Sequence, residues 1–512
     1  MFDLELSTSL LFYTLLPLLF FFIFNLKSIF TGLFPSKSSK LPRSYPIVGS
    51  FFAIYANRDR PIQWTSDVLL SSPTATFVLH RPLGRRQVFT ANPSNVQHIL
   101  KSHFHVYQKG PISLTVLQDL LGDGIFNTNG ENWKFQRQVS SHEFNTKSLR
   151  HFVEHVVDAE LTGRLIRIFC AAAKYGTVLD LQDILQRFAF DNVCKIAFGY
   201  DAEYLSPSLP ETKFAVAFET AAQLTSRRFE SFHPLLWKTK RVLQIGSEKQ
   251  LRIVVNEVRD FAKQIVREKK ELAENSSLES ADLLSRFLCS GHSDENLITD
   301  IVISFILAGR DTTSAALAWF FWLVSRHPDV EKEILREVNE KSETAIYEEV
   351  RDMPYTHASL SETMRLYPPV PVDGKQTTKD DVLPDGTAVK KGTRVSYHPY
   401  AMGRMERLWG KDWPDFRPER WLKRESGGGK WRYIAADPYE YPVFQAGPRI
   451  CLGKEMAYLQ MKRVAAGVLR RFRVVPTLPD GEEPVYISYF TAKMKGTFPV
   501  RIEERSKHIQ RR

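Results

Sequence analysis

Only four of the 512 residues are cysteine, namely Cys170, Cys194, Cys289 and Cys451. They are far apart and form no C-x-x-C pair, which excludes a disulfide framework or a zinc finger and points to a reducing compartment. No G-x-G-x-x-G stretch follows a strand and opens a helix, so the chain brings no flavin or nicotinamide site of its own. Gly427, Gly428 and Gly429 lie in a polar loop pattern that lacks this context. Beyond about residue 50 no linker rich in Gly, Ser or Pro interrupts the chain, and no internal repeat occurs. One large domain is therefore simpler than several. The formal net charge of +11 is spread among acids, with no basic block interleaved with aromatics. That argues against nucleic acid and for an acidic protein partner or anionic lipid.

Long apolar runs are present, and the first sets the topology. Residues 10–24 are almost wholly apolar, and residues 6–26 reach spanning length despite Thr14, Pro17 and Asn25. Asp3 and Glu5 precede the run in place of a basic leader, and no small-residue cleavage site follows, so the segment reads as an uncleaved anchor. Lys27, Lys37, Lys40 and Arg43 follow it, which leaves the bulk of the chain on the cytosolic side. Pro35, Pro42, Pro46 and Gly49 make a stiff connector. The expected division is an anchor over 1–27, a connector over 28–50 and a catalytic domain over 51–512.

Within that domain, residues 74–90 alternate like two strands around Arg81-Pro82-Leu83-Gly84. Helical periodicity runs over 132–150, 156–172, 179–198, 249–274 and 296–327. Asp300, Arg310, Asp311 and Thr312 interrupt the last and most apolar of these, so it reads as a buried core helix and not as a second span. Strand-like pieces return over 387–397. The fold class is predominantly α, mixed α+β.

One cysteine has informative neighbours. In Phe444-Gln445-Ala446-Gly447-Pro448-Arg449-Ile450-Cys451-Leu452-Gly453, two glycines bracket the thiol, an arginine precedes it and a helical pattern follows. Glycine permits tight turns and close approach, and a helix N-terminus favours a thiolate. The spacing F-x-x-G-x-R-x-C-x-G resembles the haem-binding signature of the cytochrome P450 superfamily. The resemblance implies the cytochrome P450 fold and haem b, with Cys451 as the iron ligand, Arg449 paired with a propionate and Phe444 beside the sulfur. An axial thiolate favours O–O cleavage.

Ala308-Gly309-Arg310-Asp311-Thr312-Thr313 places an acid and a hydroxyl inside apolar text. Alone, Thr312 would hydrogen-bond the carbonyl of Ala308 and Asp311 would form an ion pair. The hexapeptide resembles the superfamily's acid-alcohol pair, which implies Thr312 in oxygen activation and Asp311 in proton relay, with Gly309 admitting a ligand to the backbone. Glu362 and Arg365, three apart on a helix, together with Arg420 in Phe416-Arg417-Pro418-Glu419-Arg420-Trp421, resemble the family's buried structural triad, with Trp421 where the family has phenylalanine. Trp133 and Arg137 match its W-x-x-x-R helix, which implies propionate contacts. With no flavin site in the chain, electrons must come from a partner, and the family's donor in the endoplasmic reticulum is an NADPH-cytochrome P450 reductase. Lys134, Lys454, Lys462 and Arg463 would form its basic docking face.

Asn132-Trp133-Lys134-Phe135-Gln136-Arg137-Gln138, Ser141-His142-Glu143-Phe144-Asn145 and Phe198-Gly199-Tyr200-Asp201 resemble the plant fatty acid ω-hydroxylase clan, in particular its legume-type microsomal members. The implied activity is hydroxylation of the terminal carbon of medium- and long-chain fatty acids at the endoplasmic reticulum membrane. Oxidation of jasmonoyl-isoleucine is the alternative within the clan, and a reductase-independent hydroperoxide isomerase the alternative outside it. Terminal attack requires a channel that admits only the methyl end, because inner C–H bonds are weaker. By family analogy its lining comes from residues 116–126 and 214–237, from Phe305 and Ala308, from Val370 and Val372, and from Phe490. Arg81 or Lys109 would anchor the carboxylate.

Overall fold

The computed structural model describes residues 41–505 except 211, 232, 276–281, 291–293, 345, 426–429 and 480. The anchor over 1–27, most of the connector and the triglycine at 427–429 lie outside the described residues. The end of the connector is tied down by paired backbone bonds between Tyr45 and Gly49 at 2.9 Å and by Ser50 N–H to His80 O at 2.7 Å. Gly49 has φ 58°, and an added Cβ would stand 2.5 Å from His80 O, so only glycine fits.

The helices around the site are Pro111–Leu121 (α1), Gly130–Ser141 (α2), Leu181–Phe198 (α3), Lys213–Glu230 (α4), Gly246–Asn275 (α5), Glu295–Arg326 (α6), Pro354–Leu366 (α7) and Lys454–Arg471 (α8). Helix α6 is the axis of the molecule. Its length and apolarity would let it cross a membrane, yet 72% of its most apolar window is buried, because other helices surround it. Asp294 caps it by accepting from Asn296 N–H at 2.9 Å, and Trp319 stacks on Tyr367 at 3.8 Å with the rings 3° from parallel.

The periodic stretch 132–150 is not one helix. Asn145 takes an extended φ of −81° and ψ of 164°, and its side chain accepts from Ser148 N–H at 3.0 Å, capping a new helix over Thr146–His151. A cap satisfies orphan amides better than continuation through an asparagine, and the chain bends there. The 156–172 stretch belongs to the winding that follows, which includes π turns at Phe152–Val157 and Leu161–Leu165 and ends at Gly176 with φ 67°.

The main sheet contains Thr76–His80 (β1), Arg86–Thr90 (β2), Tyr107–Gln108 (β3), Asp373–Thr377 (β4) and Arg394–Tyr397 (β5) in the order β1-β2-β5-β4-β3. Strands β1 and β2 form the expected hairpin, with Val78 opposite Val88. Strand β5 lies parallel to β2, with Gln87 beside Arg394, and antiparallel to β4, with Gly374 opposite Ser396. The architecture is thus mainly helical with small sheets.

Candidate active site around Cys451

The Cys451 loop is built by backbone geometry. Cys451 N–H donates to Phe444 O at 2.8 Å, closing a turn just before α8. Gly447 has φ 65°, and an added Cβ would stand 2.0 Å from Leu100 O, so the loop reaches this depth only with glycine there. Gln445 has φ 62°, which strains a residue with a side chain. Its amide donates to Asp373 Oδ2 at 2.9 Å and it also accepts from the Tyr397 hydroxyl, which holds that geometry. Cys451 is surface-accessible, yet set deep enough for burial to push its thiol up; Gly453 N–H, Arg137 and Lys454 pull it back toward ionisation. Phe444 packs on Tyr458 at 5.2 Å, with Lys454 Nζ 5.9 Å above its ring.

Beside the thiol lies a concentration of cations, of which Lys375 is buried and Arg449, Arg137 and Lys109 are half-buried. Arg449 sits 4.4 Å over the Trp133 ring and donates to Thr128 O at 3.0 Å and Asn129 Oδ1 at 3.1 Å. Arg137 lies 5.9 Å from the same ring, so the indole meets two guanidiniums. Lys375 Nζ bonds Asp373 Oδ2 at 2.8 Å, and Lys109 Nζ reaches Asp373 Oδ1 at 3.4 Å. Burial lowers the Lys375 pKa to about 7 and Arg449 to about 10, aided by repulsion from Lys109 and Arg449 on the former and from Arg137 on the latter. Burial alone would raise Asp373, but Lys109 and Lys375 outweigh it and hold the carboxyl well below its ordinary range. Lys109, one of the two expected carboxylate anchors, is thus engaged by Asp373. The Asp373 and Lys375 network carries no sequence motif, because it depends on the pairing of distant strands.

On α6 the acid and alcohol stand next to each other. Thr312 Oγ1 donates to Ala308 O at 2.7 Å, the local back-bond open to any helical threonine. Asp311 is 8% exposed, pairs with Arg310 Nη1 at 3.1 Å and accepts from Thr491 Oγ1 at 3.5 Å. Its Oδ1 has no hydrogen-bond partner among the described residues, and burial pushes its pKa up. A narrow cleft lined by Glu219, Asp311, Phe490, Thr491 and Lys493 leads from it past the Glu219–Lys493 ion pair. Gly309 is half-buried, and its Cβ side faces α3. An added Cβ there would meet Val193 Cγ2 at 2.5 Å, so this glycine serves the contact between α6 and α3.

Behind the loop, Glu362 is fully buried and accepts from Arg365 Nε and Nη2, both at 2.8 Å, and from Arg420 Nε at 2.8 Å. Phe305 and Phe490 are half-buried against one apolar cluster with Leu117, Leu120, Phe218 and Leu307. Ala308 and Val370 are half-buried, whereas Val372 packs on the sheet. Trp237 is covered by Arg228 at 4.5 Å and Phe126 is 39% exposed, so neither shares that apolar surface.

The proposed docking cations divide. Lys134 is exposed and pairs with Glu131 at 2.7 Å, and Lys454 is half-buried. Lys462 is only 2% exposed and donates to Arg351 O at 2.8 Å, with burial lowering its pKa to about 8. Arg463 is 5% exposed and pairs with Asp158. Both fall on the face of α8 that enters the core beside Leu459 and Val464, so neither can meet a partner.

A thiol at a helix N-terminus, next to more cations than carboxylates, is the arrangement of a haem-thiolate enzyme. The chain belongs to the cytochrome P450 family, whose model matches residues 40–495, and its cofactor is haem b held by a cysteine thiolate. It is 60% identical over 466 residues to cytochrome P450 94A1 of Vicia sativa, covering 91% of each chain. It is 62% identical over 473 residues to cytochrome P450 94A2 of the same plant, covering 92% of each. To cytochrome P450 94B3 of Arabidopsis thaliana it is 46% identical over 503 residues, covering 98% of this chain and 99% of the other. The residues fit the cofactor. Asp373 is the carboxylate acting on Lys375 and Arg449, and the propionates of haem b would supply the further negative charge that Lys109, Lys375, Arg137 and Arg449 call for.

Proposed function

We propose that this monooxygenase hydroxylates the terminal carbon of medium- and long-chain fatty acids, with electrons passed from NADPH through a membrane-bound reductase. The observation that carries the proposal is that Phe305 and Phe490 are half-buried against one apolar cluster close to the acid and alcohol: Phe305 precedes them on α6, and Phe490 lines the narrow cleft together with Asp311. A flexible alkyl tail fits such a lining, and confinement there favours attack at the methyl by orientation. The haem, once bound through Cys451, supplies oxygen activation. Arg449, Arg137 and Trp133 would hold its propionate side, and the Glu362, Arg365 and Arg420 cluster would brace the loop from behind. Asp311 keeps its proton to higher pH than an exposed aspartate, and the Thr491 hydroxyl and the Glu219–Lys493 pair link it toward solvent. Thr312 Oγ1 can exchange its bond to Ala308 O for one to a reacting oxygen and pass on the proton that Asp311 delivers. Residues 1–27 would anchor the enzyme in the endoplasmic reticulum membrane with the catalytic domain in the cytosol.

Microsomes containing the protein and an active reductase, supplied with NADPH and lauric or oleic acid, should form the ω-hydroxy acid. In-chain alcohols alone, or no product while jasmonoyl-isoleucine is turned over, would overturn the reading.

A further inference from the structure

Arg394 extends from β5 across β4 at Gly374. An added Cβ at Gly374 would stand 3.0 Å from the Arg394 Nε and 3.4 Å from Nη2, so the missing side chain makes room for the guanidinium. Phe229, near the end of α4, lies 4.8 Å from it. Among the described residues none accepts a hydrogen bond from this guanidinium, and its Nε is buried without a partner. Unpaired buried donors on a cation are costly, so such a group implies an anion that completes it. Arg81, just after β1, stands near enough for mutual repulsion, and its Nε and Nη2 share one neutral acceptor, Gln87 Oε1, at 3.1 and 2.9 Å. Burial and Arg394 lower the Arg81 pKa to about 10, while burial also lowers Arg394, with Asp373 opposing from a distance. Glu230 faces Arg81 and Arg227 without a hydrogen bond to either, so one carboxylate stands against several guanidiniums.

This cationic place is continuous with the apolar surface. Phe229 packs on the same cluster as Phe305, which precedes the acid and alcohol on α6, and as Phe490, which lines the narrow cleft with Asp311. A molecule lying along that cluster would therefore have a guanidinium at one end and the oxygen chemistry at the other.

We infer that Arg394, with Arg81 beside it, binds the carboxylate of the substrate, an inference that rests on the ω-hydroxylase reading. A planar guanidinium can engage a carboxylate through two parallel hydrogen bonds, which fixes the head group and leaves the methyl end as the free end.

The test compares binding of laurate and methyl laurate to the haem-loaded enzyme by the substrate-induced change in haem absorption, which needs no reductase or turnover. The wild-type protein should prefer the acid by about tenfold or more, the worth of one charged hydrogen bond. Arg394→Leu should erase that preference by weakening the acid alone, Arg394→Lys should restore part of it, and Arg81→Gln should reduce it. Haem content and circular dichroism establish folding, and the lysine and glutamine variants carry the measurement should the leucine variant not fold. An unchanged acid-to-ester ratio in all variants, or equal loss for both ligands, would overturn the anchor. If the wild type still makes ω-hydroxy acid, that result leaves the proposed function standing. A preference that disappears with Arg394 in an enzyme that hydroxylates no fatty acid would do the reverse.

Discussion

Trp421 donates its indole Nε1–H to Glu362 Oε2 at 2.8 Å, giving the buried carboxylate an acceptor bond beyond those from Arg365 and Arg420. The tryptophan is therefore more than a larger aromatic. Trp421→Phe keeps most of the ring volume and removes one donor from a desolvated charge, so it should cost about 1–3 kcal/mol. Denaturant unfolding followed by circular dichroism reads this directly, and an unchanged midpoint would reduce the indole to a space-filler.

The Gly309 contact makes a second, coupled prediction. Gly309→Ala forces its methyl against Val193 and should destabilise the protein by about 1–3 kcal/mol, the usual cost of overpacking. Combining it with Val193→Ala should recover most of the loss. Additive losses in the double variant would show that the two side chains do not compete for the same space.

His398 gives the fold a dependence on pH. Its Nδ1 accepts from Ala401 N–H at 3.1 Å and its Nε2 meets Thr65 Oγ1 at 2.9 Å, so protonating Nδ1 would turn a cap into a clash of donors. Burial lowers its pKa to about 3. Between its ordinary value of about 6.5 and that folded value the unfolded chain binds the proton and the folded chain does not. Its contribution is thus fully present above pH 6.5 or so and declines as pH falls, by up to about 1.4 kcal/mol per pH unit. His357, lowered to about 2 by burial, then by Lys462 and Lys454, acts in the same direction. His398→Gln should flatten the stability curve between pH 6 and 4.

Thr312→Ala should leave substrate binding intact while lowering product per NADPH consumed, because the hydroxyl that would hand on the proton is gone. Asp311→Asn should slow turnover and retain a larger share of that yield. Product and NADPH measured together decide the matter, and an unaltered ratio in the alanine variant would remove Thr312 from the proton route.

Lys134→Glu should slow electron delivery at low salt and lose its effect at high salt, as a screened docking charge does. Lys462→Ala should instead lower stability and leave the salt dependence alone, since its ammonium bonds Arg351 O inside the core. The reverse pattern would restore Lys462 to the docking face.

What was legible in the sequence follows from how local each feature is. The Cys451 loop declares itself because glycines that admit close approach must recur at fixed spacing, and α6 because an apolar run with internal charges reads as core. The turn at Asn145 was hidden by the periodicity that continues through it. Lys462 and Arg463 were misread because charge usually marks the solvated face, whereas α8 turns that part of itself inward and satisfies it with Arg351 O and Asp158. Arg394 and Lys375 could not be found at all, since their meaning comes from strands brought together across the sheet.

The crowd of cations around Asp373 also bears on how the enzyme is assembled. Lys109 and Arg449 both repel Lys375 in the folded chain, as Arg137 repels Arg449, and a diacid cofactor relieves that repulsion only after it has entered. Haem supply and conformational stability then become one linked quantity, with each tenfold rise in free haem above its dissociation constant adding about 1.4 kcal/mol to the folded state. A cell short of haem would hold less of this protein, without any change in how fast it is made.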